Sequence, residues 1–184
     1  MTFSGLVGDT TPLGAITINS ANNVTANGVR AASFTQTTGQ GTTTLNGGTF
    51  TDTTVEALKT TSSTGVSVTA KAITLNDKLT TSGTGAVVLS ATANSGGVLT
   101  IAAAGDIVAN NDVDLTGTGG ISTAGDVTTN AASAPVNYHS ATTLTGAVAI
   151  DTTNAGGVTG SLVRFFSTLD GNQTLGVTAG TTGM

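Results

Sequence analysis

Short alternating segments fill this chain and leave it few ways to fold. "AITIN" (15–19), "TTTLN" (42–46), "VSVTA" (66–70), "AVVLSA" (86–91), "VLTIAA" (98–103), "DVDLTG" (112–117), "AVAIDT" (147–152) and "LGVTAG" (175–180) each alternate apolar with small polar residues. A period of two marks a strand with one face buried. The Gly, Asn, Asp and Ser between them mark turns. The best helix candidate, "VEALKTT" (55–61), is short and runs into β-branched residues and glycine. No strand is long enough to make a broad sheet by itself, so the pattern predicts repetition of one small unit.

The stretch "GTGAVVLSATANSGGVLTIAAAG" (83–105) displays that unit as corner, strand, corner, strand, corner. Val66 and Val87 stand about twenty residues apart, near the length of one solenoid coil. The gaps from Ile16 to Leu45 and from Ile150 to Val177 are longer and predict loops bulging from a coil. The two ends also match. "FSGLVGDTTPLGAIT" (3–17) and "FSTLDGNQTLGVT" (166–178) align Phe3 with Phe166 and Leu6 with Leu169. Placing the C-terminus before the N-terminus makes the copies consecutive at about one coil. Phe3, Leu6, Phe166 and Leu169 are therefore candidate self-association residues. The expected fold is all-β, a parallel β-helix of about seven to nine coils forming one domain over 1–184. A β-sandwich is the alternative, disfavoured by the scarcity of aromatic residues to fill its core.

Composition fits a narrow aliphatic core. Aromatic residues are 3%, charged residues 8%, glycines 26 and threonines 41. Outward positions want β-branched polar side chains, which accounts for threonine. Disorder is opposed by the 38% hydrophobic content and the modest net charge of −5. Five Lys+Arg spread along the chain make no nucleic-acid footprint. No apolar run approaches the roughly 18 residues of a membrane helix. The absence of cysteine suits an exported protein without disulfides and many cytosolic proteins alike. "TFSGLVGD" after Met1 has no basic or apolar leader, so any signal is expected on a longer parent.

This grammar resembles the filamentous haemagglutinin-like β-strand repeats of large bacterial surface exoproteins. The carrying segments are "TGAVVLSATANSGGVLTIAAAGDI" (84–107), "GGISTAGDVTTN" (119–130) and the paired "FS-x-L-x-G-[D/N]" at 3–9 and 166–172. The resemblance implies a right-handed parallel β-helix, export to the cell surface and a role in adhesion or biofilm structure. The N-terminal secretion domain of that family is missing here.

Candidate chemistry is sparse. His139, the one histidine, lies in "VNYHS" without a G-x-S-x-G elbow, and an exposed loop histidine is the plainer reading. Asp112 and Asp114, two apart in a strand, point to one face and are weak calcium candidates or a carboxylate pair for glycoside cleavage. Thr123 stands where a calcium loop wants glutamate, and a solvated outer face is the plainer reading of both acids. Arg30, Arg164 and Tyr138 are isolated, and only coil stacking could gather them. Phe165 and Phe166 must face opposite sides of a strand, one of them inward. The threonine runs at 42–44, 49–54 and 60–69 raise ice binding, but they are irregular and broken by Asp52 and Glu56. The expected function is structural: a shaft, stalk or fibre of a secreted surface protein, built by end-to-end coil stacking. No cofactor and no enzymatic activity are expected. The competing readings are a Thr-rich ice-binding or glycan-binding module, and a polysaccharide-processing enzyme.

Overall fold

Val87 pairs in parallel with Val66 on one side and Val113 on the other. The same relation repeats along the chain and makes the protein a parallel β-solenoid of about eight turns. The computed structural model describes residues 1–180, and among them there is no helix.

Each full coil visits three faces. Face I is a ladder of eight parallel strands: Thr2–Phe3, Val24–Asn27, Thr42–Asn46, Ala72–Leu75, Leu99–Ile101, Ile121–Thr123, Thr142–Leu144 and Leu169–Asp170. Face II begins with the Val29 end of Val29–Gln36. It continues through Leu58–Thr60, Leu79–Thr81, Ile107–Ala109, Val127–Thr129, Val148–Asp151 and Leu175–Thr178. Face III holds Leu13–Ile18, the Phe34 end of Val29–Gln36, Val66–Ala70, Val87–Ala91, Val113–Gly117, Val136–Tyr138 and Val163–Phe165. Faces II and III join in one sheet because Val29–Gln36 rounds the corner unbroken. Eight levels spaced about 4.8 Å apart make a rod of roughly 40 Å.

The core is a set of stacked columns. On face II it runs Val7, Val29, Leu58, Leu79, Ile107, Val127, Ile150, Val177. Aliphatic side chains fit the narrow space between the faces, and most are fully buried. Threonine is not confined to the outside. Thr43, Thr60, Thr81, Thr123, Thr129, Thr142 and Thr152 are all at most 1% exposed. Several lie where face II turns into face III, and their hydroxyls donate to carbonyls of the turn that follows. Thr81 bonds Gly85 at 2.8 Å, Thr129 bonds Ala134 at 2.8 Å and Thr152 bonds Ser161 at 2.9 Å. A corner leaves carbonyls without a ladder partner, and an inward hydroxyl supplies one.

Two expectations change. "VEALKTT" forms two strands, Val55–Glu56 and Leu58–Thr60, because the ladder on Leu79–Thr81 outweighs weak helix propensity. The long Ile16–Leu45 gap holds a complete second coil rather than a loop. Its corner from face I to face II is the single residue Gly28, at φ +81°, which leaves no turn cluster to read there. The Ile150–Val177 gap does hold a bulge, between Val148–Asp151 and Val163–Phe165.

Candidate functional site

The four self-association candidates occupy different places. Phe3 is half-buried on face I of the first coil and packs on the core. Leu6 is also half-buried. Its δ-methyl sits so close to Gly28 and Gly48 that a Cβ on either would overlap it. It is therefore packed into the side of the rod. Leu169 is inward-facing on the last coil, in register with Thr142, and 39% exposed. Phe166 is 59% exposed and stacks on His139. The matched end segments fall on different faces: Leu13 is on face III and Leu175 on face II.

Coil stacking gathers the isolated polar residues on the outside of face III. Asp114, Asn137 and Arg164 are register partners in successive coils. Asn137 Nδ2 donates to Asp114 Oδ1 at 3.1 Å, and Arg164 reaches the Asn137 oxygen at 3.4 Å. His139 Nε2 is 2.8 Å from the same Asp114 oxygen. Burial, and secondarily the charge of Asp114, pushes the Asp112 carboxyl above its ordinary value. Asp114 is thus engaged by an amide and an imidazole, and among the described residues no group of three or more His, Cys, Asp or Glu could hold a metal ion. Arg164 also lines a cavity of about 330 Å³ with Ser133, Pro135 and Ser161. Tyr138 is elsewhere: it points inward and stacks on Phe165 at 4.6 Å. Phe165 is accordingly the inward member of the Phe165–Phe166 pair.

A buried charge cluster sits on face II under a strap. Gly48–Thr49 pairs antiparallel with Val55–Glu56, and the intervening residues fold back over the first two coils. Arg30 points outward beside Lys59 yet is only 8% exposed, because Phe50 and the strap cover it. It meets Asp52 at 3.0 Å and Glu56 at 3.1 Å, and it also bonds Thr54. Thr51 ties the strap to Asp9 through its amide at 2.7 Å and its hydroxyl at 2.6 Å.

Face I carries an array that the threonine runs do not announce. Thr2, Thr25, Thr44, Thr74, Thr100, Ser122 and Thr143 are successive register partners on its outer side. Only Thr44 comes from one of those runs. Thr2 stands beside Met1 at the start of the chain, and the other five lie between inward-facing neighbours, in "VTA", "ITL", "LTI", "IST" and "TTL". One hydroxyl residue per period at the centre of an alternating segment is the signal that would have found them.

Comparison with protein-family models, with curated proteins and with solved structures finds no match.

Proposed function

We propose that this protein is a length of structural shaft whose coils continue by stacking on a second copy of the chain, as in the extracellular surface fibres that its sequence resembles. The observation that carries this reading is the state of the core columns at the two ends. Val177 is 48% exposed although its register partner Ile150 is 1% exposed, and Leu169 is 39% exposed above Thr142 at 1%. At the other end Leu13 is 49% exposed beside a fully buried Ala31. A further coil at either end would bury these side chains and pair the open ladder edges, which otherwise invite association.

Electron microscopy and light scattering over a concentration series test the proposal. Rods that lengthen with concentration are expected, and Val177→Asp with Leu169→Asp should hold the protein at one rod length. Wild-type protein that stays monomeric throughout would overturn the reading.

A further inference from the structure

We infer that face I is a binding face for an ordered water lattice, the surface of ice. Three independent features point there. The first is register. Seven consecutive coils place Thr2, Thr25, Thr44, Thr74, Thr100, Ser122 and Thr143 in one outward column, each in a paired parallel ladder. The ladder sets their separation at about 4.8 Å, close to the second-neighbour oxygen spacing of ice.

The second is composition. Strand propensity alone would put threonine on every outer face. The equivalent column of face II holds Arg30, Lys59, Thr80, Val108, Thr128, Asp151 and Thr178. That of face III holds Thr17, Thr35, Ser67, Val88, Asp114, Asn137 and Arg164. Charge and bulk are tolerated there. From the first to the seventh coil the strands of face I place no charged residue on the outside, and the first charge is Asp170 on the eighth.

The third is hydrogen bonding. Buried Thr81, Thr129 and Thr152 donate to backbone carbonyls. The seven hydroxyls of the face I column have no protein partner among the described residues. They are held at fixed spacing on a rigid ladder and are left to bond outside the protein. Each threonine also presents a methyl group beside its hydroxyl, so the face excludes bulk water between its anchoring points.

The same features weigh against other occupants. A peptide strand adds to a sheet edge, and this is a sheet face. An ionic partner would find no complementary charge. Sugar rings dock on aromatic side chains through their apolar faces, and no aromatic residue points outward from these strands. An ice surface needs only a flat, rigid, neutral array of hydroxyl and methyl groups at the right interval. The inference does not depend on end-to-end stacking, since face I lies along the side of the rod.

The test is thermal hysteresis together with inhibition of ice recrystallisation, measured on the wild-type chain and on three variants. Thr100→Lys puts a charged side chain at the centre of the array, and Thr74→Lys does so one coil away. Thr128→Lys makes the same change on face II. Circular dichroism confirms that each variant keeps its strands. Activity in the wild type, its loss in whichever face I variant folds, and its retention in Thr128→Lys are expected. Absence of both activities in the wild type would overturn the inference. So would equal losses in the face I and face II variants. Retention on crystalline cellulose or chitin without any effect on ice would also overturn it and reassign the face to a polysaccharide.

Discussion

Arg30 and Glu56 form an ion pair at 3.1 Å with side chains only 10% and 7% exposed, on the outer side of a sheet where neighbours of the same column face water. Burial comes from the strap, not from the core. Taking two charges out of water is costly, and the pair persists because each partner satisfies the other. Removing Arg30 leaves the buried Glu56 with only the more distant Lys59 ammonium, at 3.8 Å. Arg30→Met should therefore destabilise the protein by about 3–5 kcal/mol, while Arg30→Met combined with Glu56→Leu should recover much of that loss. Denaturant titration of the two variants checks both statements. Arg30→Lys should not substitute, since a single ammonium cannot reach both oxygens of Asp52 as the two guanidinium nitrogens do at 3.0 and 3.1 Å.

The strap should also loosen in acid. Hydrogen bonds from Arg30 and Thr54 hold the Asp52 carboxyl well below its usual range, and those from Thr51 lower that of Asp9. The folded state favours both charged forms. The stability they add is complete above the ordinary aspartate value of 3.8 and is lost as the pH falls from there through their lowered values. Amide exchange or limited proteolysis of residues 47–57 should accelerate below that pH before the strands of face I or III are affected. Asp112 runs the other way. Its carboxyl is raised by burial, so its ionised form opposes folding at neutral pH. Asp112→Asn should raise the thermal midpoint at pH 7 and leave it unchanged well below pH 3.8, where the native carboxyl is protonated in both states.

Much of this architecture was legible because strand, core and corner chemistry are local. "AVVLSA" and "VSVTA" announced Val87–Ala91 and Val66–Ala70, and their spacing placed them in adjacent coils. The second coil was hidden because its strands are parted only by Gly28 and by a corner inside the unbroken strand Val29–Gln36. The Asp114–His139 contact spans 25 positions and exists only through coil register, which no motif records. Buried threonines such as Thr129 were unreadable for a different reason: the residue that suits an outward strand position also suits an inward corner that needs a hydroxyl. The column on face I is one hydroxyl residue per coil, each in a different short segment, whereas the runs at 49–54 and 60–69 fall on the strap and at a corner.

In the coil that turns from Leu58–Thr60 to Val66–Ala70, glycine is a steric requirement of the corner. Gly65 has φ +67°, and a Cβ there would lie 2.2 Å from the Ala86 carbonyl oxygen of the next coil. Gly96, at a corner from face III to face I, has φ +74° with nothing within 4 Å. Both replacements by alanine incur the left-handed backbone penalty of about 1–2 kcal/mol. Gly65→Ala must in addition push two coils apart. It should be clearly more destabilising than Gly96→Ala in thermal denaturation. Equal effects would mean that the neighbouring coil yields freely.

The buried threonines allow a test in which one substitution has opposite consequences at equivalent sites. Thr60 and Thr129 occupy the same inward position on face II and are both fully buried. The Thr129 hydroxyl donates to the Ala134 carbonyl at 2.8 Å, whereas that of Thr60 has no partner. Valine has nearly the shape of threonine and no hydroxyl. Thr129→Val removes a made hydrogen bond and leaves a buried carbonyl unpaired, which costs about 1–3 kcal/mol. Thr60→Val removes a hydroxyl that was desolvated without return, so the same change should be neutral or stabilising. Equilibrium unfolding of the two variants under one set of conditions gives the comparison directly. A loss at Thr60 as large as that at Thr129 would show that the Thr60 hydroxyl finds a partner in solution, and the corner beside it would then need the same inward donor as the corners at Thr81, Thr129 and Thr152.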